Sequence, residues 1–178
     1  MPGRWCIWTI AVFLGLGLGS VEASGYKNET TVAVNIAESI AVVAWPDGFL
    51  NLATNAMPGD VIISPPLSLT VKANSTWGVE ISCDVADGRM QEFDPGLGAY
   101  VPDGRVVTEP LEWSTSPSGP WQPLSTSPRP LVATQAATGD GGAEVGFYLR
   151  FAASYGDMPA KMGREYRITM HYTAGLSY

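Results

Sequence analysis

Apolar and polar residues alternate along four stretches of this chain. Period-2 alternation marks a strand that covers a core on one face and meets water on the other. In residues 67–83, Leu67, Leu69, Val71 and Ala73 alternate with Ser68, Thr70 and Lys72; beyond Asn74-Ser75-Thr76, Trp77, Val79, Ile81 and Cys83 alternate with Gly78, Glu80 and Ser82. The pattern predicts a hairpin. Further on, Val145, Phe147, Leu149 and Phe151 alternate with Glu144, Gly146, Tyr148 and Arg150, and Tyr166, Ile168, Met170 and Tyr172 with Arg167, Thr169, His171 and Thr173. Near the start, Thr30, Val32, Val34 and Ile36 alternate with Thr31, Ala33, Asn35 and Ala37, which predicts an N-terminal strand over residues 30–37.

Weaker patterns fill the intervals. Residues 39–45 form an apolar run closed by the turn Pro46-Asp47-Gly48, residues 49–56 and 61–64 read as short strands, and Pro65-Pro66 belongs at a sheet edge or in a connection. In residues 84–105 the alternation lapses: Asp84, Asp87, Glu92, Asp94 and Asp103 stand among Gly88, Gly96, Gly98 and Gly104, the composition of a long surface loop. Residues 111–114 and 121–124 flank a Ser/Pro/Gly turn as hairpin arms, and residues 131–136 give another strand. No stretch after residue 23 sustains a helical apolar period. Seven to nine short strands with regular turn signals predict an all-β fold, a single antiparallel β-sandwich of the immunoglobulin-like kind. The paired cysteines of antibody domains are absent, so the likeness is one of architecture.

Composition adds a compartment. Arg4, the uncharged and mainly apolar residues 5–19, and Val21-Glu22-Ala23 have the layout of a signal peptide, which predicts cleavage after residue 23 and a mature domain over residues 24–178. The apolar run falls short of the roughly 20 residues that a membrane-spanning helix needs. The expected product is secreted, extracellular or associated with the cell surface, with no membrane span in the mature chain. A formal net charge of −7 with 15% charged residues leaves no basic stripe, which argues against nucleic acid as a partner. Of the two cysteines, Cys6 lies in the signal segment, so Cys83 is left either as a buried apolar residue or for pairing between chains.

Candidate chemistry is sparse. The one histidine, His171, falls on the polar face of a predicted strand and cannot alone supply a zinc cage, and no Ser sits in a nucleophile turn. The acidic loop offers Asp84, Asp87 and Asp94 as calcium candidates, without EF-hand spacing, or alternatively as solvated loop charges. The expectation is a protein that is not an enzyme and carries no cofactor. Trp113 and Trp121 either stack on sugar rings or pack in their own hairpin. Asn28 and Asn74 each begin an N-x-S/T glycosylation sequon.

The segments NSTWGVEIS, LEWSTSPSGPW and MPAKMGREYRITMHYT together resemble small secreted β-sandwich proteins of bacterial and archaeal surfaces. Among named families the chain is most similar to the WxL-type cell-surface domains, through Thr76-Trp77-Gly78-Val79 and residues 159–173, with Val79 where that motif has Leu. The resemblance implies a place at the cell envelope and a part in surface attachment. A looser likeness to strand-donating pilus and biofilm-fibre subunits implies assembly through an exchanged strand. The regular, uncharged row Thr30, Val32, Val34 and Ile36 is the candidate, set against a strand paired within its own sheet. Two functions follow: a structural protein that joins other copies of itself or surface components in a filament or coat, and alternatively a carbohydrate-binding or adhesive module for a polysaccharide.

Overall fold

The computed structural model describes residues 31–53 and 55–177. The predicted signal peptide, Asn28 and Thr30 lie outside the described residues. Two compact units, Met1–Asn35 and Ile36–Tyr178, divide the chain. In the first, the described residues 31–35 belong to no strand and are exposed.

The second unit is all-β and antiparallel. Its strands are β1 (Ile40–Ala44), β2 (Val61–Ile63), β3 (Leu67–Ala73), β4 (Trp77–Cys83), β5 (Gln91–Asp94), β6 (Ala99–Tyr100), β7 (Glu112–Ser114), β8 (Gln122–Pro123), β9 (Arg129–Gln135), β10 (Ala143–Ala152), β11 (Glu165–Arg167) and β12 (Met170–Leu176). Twelve exceeds the seven to nine expected; β5 and β6 form within residues 84–105, which read as loop, and the single strand expected over residues 166–173 is divided into β11 and β12. One sheet has the order β1-β3-β10-β7-β8, with β2 also paired to β10; a second has the order β12-β4-β9, and a small third the order β11-β5-β6.

The alternating rows face one another across a shared core. Leu69 and Val71 of β3 and Val145, Phe147 and Leu149 of β10 meet Trp77, Val79 and Ile81 of β4 and Leu131 of β9. Phe147 is fully buried, and its ring stands 5.5 Å from that of Tyr172 on β12, centroid to centroid. The arrangement is that of a β-sandwich closed by apolar burial, with no disulfide among the described residues, where Cys83 is free and buried.

Several expected connections differ. β3 and β4 do not form a hairpin: β3 pairs with β1 and β10, and β4 with β12 and β9, so the turn at residues 74–76 carries the chain from one sheet to the other. Both apolar rows still point inward, because strands in opposite sheets and strands in one hairpin satisfy the same period. Residues 166–173 are not one strand either. β11 ends at Arg167 and β12 begins at Met170; between them Thr169 donates its N–H to the Asp84 carboxylate at 3.0 Å, while its carbonyl accepts the Asp84 N–H. Residues 84–105 hold the β5–β6 pair and the fully buried Glu92 instead of forming only a solvated loop. Residues 49–53 and 55–56 belong to no strand, and neither do residues 31–37, the described part of the N-terminal strand expected over residues 30–37. The β7–β8 hairpin forms as predicted. It docks on Gly88, whose carbonyl accepts the Leu111 N–H at 2.8 Å and where an added Cβ would lie 2.2 Å from the Leu124 carbonyl oxygen.

Phe147 reads out the shared core. Phe147→Ala removes a fully buried ring and is expected to lower unfolding free energy by about 3–5 kcal/mol in denaturant titrations; a loss under about 1 kcal/mol would mean that the two sheets do not pack as described.

Candidate functional site: an open seam between the sheets

The sandwich is closed along only part of one side. β1 pairs with the Thr70–Ala73 half of β3 and lies beside β12. Beyond β1, β2 has a partner only in β10, and β12 only in β4. Two strand edges therefore face each other without a strand between them among the described residues. A groove of about 1350 Å³ opens there, larger than the roughly 300–1000 Å³ typical of small-molecule sites.

Its floor is core. Leu149 and Phe151 of β10 line it with Leu111 and Val107, and all four are buried. Tyr172 and Met170 form the β12 wall, Ile62 and Leu67 the opposite one. Burial pushes the Tyr172 hydroxyl well above the usual tyrosine range, and its hydrogen-bond acceptor is the Met170 sulfur at 3.9 Å. A strap following β1 crosses the mouth: Leu50 and Leu52 are half-buried against the core, whereas Trp45, Phe49 and Met57 are exposed.

The remaining wall, residues 154–164, is held by two carboxylates. Glu92 is buried with 0% of its surface exposed. Its Oε1 accepts the Lys161 N–H at 2.7 Å, its Oε2 accepts the Arg105 N–H at 3.4 Å, and the Arg164 guanidinium lies 3.4 Å from Oε2. The Lys161 N–H bond, helped by the Arg105 N–H and the Arg164 charge, outweighs burial and lowers the Glu92 pKa below its ordinary value near 4.5. Asp157 closes the other end of the same wall, accepting the Thr108 N–H at 2.6 Å and the Ser154 N–H at 2.8 Å. Burial opposes ionisation of Asp157, yet the Ser154 and Thr108 bonds prevail and lower its pKa as well. Arg105 donates to the Pro159 carbonyl and Tyr166 to the Met158 carbonyl, which pins the loop between these anchors.

At the opposite end of β1, the Asn74 side chain secures the entry to the domain. Its Nδ2 donates to the Ala37 carbonyl at 2.8 Å and its Oδ1 accepts the Ser39 N–H at 2.7 Å. The sequon nitrogen of Asn74 is thus already a structural donor.

Of the sequence-derived candidates, His171 lies at the groove, and the candidate aspartates, Trp113 and Trp121 are not among its lining residues. Asp84 accepts from Tyr100 and Thr169, Asp87 pairs with Arg89, and Asp94 accepts the Gly96 and Leu97 N–H groups. Through these bonds the aspartates fasten local turns and strand ends, and no three metal-ligating side chains come together among the described residues. Trp113 is only 3% exposed, with its Nε1 lacking a hydrogen-bond partner, and offers no face for a sugar ring. Trp121 is half-buried beneath Arg150, whose guanidinium carbon lies 4.8 Å from the ring centroid and which also pairs with Glu112 at 2.5 Å. His171 is exposed on β12, as expected. Of the proposed assembly row, Val32, Val34 and Ile36 are 83%, 76% and 82% exposed. The groove residues went unrecognised as a site because their period reports burial, while an unpaired edge leaves no mark in a single strand's sequence.

This geometry defines an all-β, sandwich-like domain with an apolar open seam. No protein-family model matches the chain and no curated protein matches it significantly. Among the described residues no helix is long and apolar enough to cross a membrane.

The two lowered carboxylates make the groove wall sensitive to acid. A carboxyl whose folded pKa lies below its unfolded value contributes stability that is complete above the unfolded value and is lost as pH falls through the folded one. Unfolding midpoints are therefore expected to hold steady above about pH 5 and to fall at lower pH. Glu92→Gln keeps one acceptor oxygen, for the Lys161 N–H, while it gives up the second acceptor and the charge, so it should lower stability near neutral pH and flatten that acid limb; an unchanged pH profile would exclude Glu92 as its source.

Proposed function

We propose that this is a non-catalytic extracellular structural protein of the cell surface. It associates with its own copies into a filament or coat by β-strand exchange, and residues 30–37 are the exchanged strand. The observation that carries the proposal is the state of Val32, Val34 and Ile36. They are spaced as the apolar face of a strand, yet in this chain they belong to no strand and stand exposed. Leaving three β-branched side chains in water forgoes about 1.5–3 kcal/mol for each that could be buried. Such a row finds its partner in another chain by strand addition, where backbone hydrogen bonds give affinity and alternate side chains fill pockets.

Export by the signal-like segment at residues 1–23 fits this role, as does a core that needs no disulfide. An immunoglobulin-like sandwich on the outside of the cell is part of the same proposal. Surface attachment, the property implied by the WxL-like segments, is what such an assembly would provide. The buried state of Trp113 gives no support to the carbohydrate-binding alternative.

Deleting residues 25–37 tests the proposal. The purified deletion protein should elute as a monomer from a sizing column and show no filaments by electron microscopy, where the mature chain forms ordered polymers. A deletion protein that still polymerised would overturn it.

A further inference from the structure

We propose that the acceptor for the exchanged strand is the groove between β2 and β12. There, residues 30–37 of a second copy lie along the outer edge of β12 with Val32, Val34 and Ile36 on the floor formed by Leu149 and Phe151. The inference rests on the strand-exchange reading above and assigns the surface it uses.

Three observations select this surface and this occupant. The first is pairing. β12 uses one edge for β4 and leaves the other to the groove, so an incoming backbone meets a row of unpaired N–H and C=O groups. The second is chemistry. Residues 30–37 carry no charge, and the groove floor is made of Leu, Phe and Val side chains that belong to the core. Along β12 the half-buried Met170 and Tyr172 alternate with the exposed His171 and Thr173, a register that an added strand with its apolar row inward would continue.

The third observation is reach, which keeps the chain's own Ile36, and so the complete apolar row, out of its own groove. Ala37 and Ser39 are hydrogen-bonded to Asn74 at the sheet-to-sheet corner. On β3 the groove wall begins at Leu67, seven residues below Asn74, or about 23 Å at strand rise. On the opposite side it begins at Thr173, which pairs with Glu80, four residues past Thr76, or about 13 Å away. Ile36 is one peptide from Ala37, and consecutive Cα atoms are about 3.8 Å apart. Ile36 cannot be anchored beside the corner and lie deep in its own groove. In a second copy the same residue is under no such restraint. Each chain then donates at one end of its sandwich and accepts nearer the other, a head-to-tail contact that propagates instead of closing on itself.

Pairwise cysteine cross-linking between full-length mature chains tests this. One population carries Asn35→Cys on the outward row of the donor. The other carries His171→Cys or Thr173→Cys on the outward row of β12, or Thr134→Cys, which is exposed on β9 at the far edge of the same sheet. All are in a Cys83→Ser background. The expected result is a disulfide-linked pair of Asn35→Cys with His171→Cys or Thr173→Cys, several-fold above that with Thr134→Cys. Val34→Asp, a change outside the packed domain, should abolish filaments and, built into the Asn35→Cys chain, the cross-link. Polymers that form without a β12 cross-link, or that link equally to Thr134→Cys, would overturn the groove assignment and leave strand exchange standing. Mature protein that neither polymerises nor cross-links would overturn both.

Discussion

The crossing at Asn74-Ser75-Thr76 is the constraint on which the rest of the structure depends. Three residues carry the chain from β3 in one sheet to β4 in the other, so the two most regular apolar rows lie face to face as the halves of one core. The same corner receives the start of the domain. Asn74 bonds to Ala37 and Ser39 through its side chain, and its N–H donates to the Ser39 carbonyl at 3.2 Å. Ser75 bonds Glu38, and Thr76 donates to the carbonyl of Ser177 near the other end of the chain. Sheet crossing, domain entry and the end of β12 are thereby fastened at one place.

Fastening at that end leaves the other end to be stabilised differently. Away from the corner the sheets diverge around the groove, and polar anchors replace strand pairing as the means of holding the chain. Glu92 is the extreme case: a fully buried carboxylate is costly unless every acceptor site is met. Two backbone N–H groups and one guanidinium meet it here. Those donors come from residues 105, 161 and 164, so the need to satisfy one charge fixes the course of the loop that walls the groove. The β11-β5-β6 sheet is reinforced in the same region by Arg167, whose guanidinium carbon lies 3.8 Å from the centroid of the Phe93 ring and which pairs with Glu165.

The strands were legible in the sequence where their burial is one-sided. β3, β4 and β10 alternate buried with less buried residues along nearly their whole length, and the period reads directly. Pairing was not legible. Leu69 and Ile81 point inward whether residues 67–83 form a hairpin or cross between sheets, so the choice is made by contacts with β1, β9, β10 and β12. Glu92 was misread because a charge among glycines suggests solvent, and its burial depends on Lys161 and Arg164, about seventy residues distant. The break at Ile168-Thr169 was hidden because Tyr166 and Met170 keep the same parity across it, while Asp84 supplies the bonds that end one ladder and begin the next. For the candidate site, the apolar row of the N-terminal segment was visible and the groove was not: a floor residue such as Phe151 has the pattern of any core residue, and only the absence of a strand between β2 and β12 among the described residues sets it in a groove.

An open seam and an exposed apolar row in one chain are each a liability. An unpaired edge above an apolar floor is a template for any extended segment, and natural sheets ordinarily blunt such edges with charge, proline or a covering loop. The strap bearing Leu50 and Leu52 covers part of this floor, yet without strand pairing it leaves the β12 backbone unsatisfied. The row Val32, Val34 and Ile36 lacks any charge to keep it in water. The anchoring of Ala37 at the corner prevents Ile36 from reaching the floor it would fit, so the complete row cannot be buried there within one molecule. In the proposed strand exchange the two liabilities would cancel between molecules, and the position of a single asparagine side chain would be the reason that association extends from copy to copy.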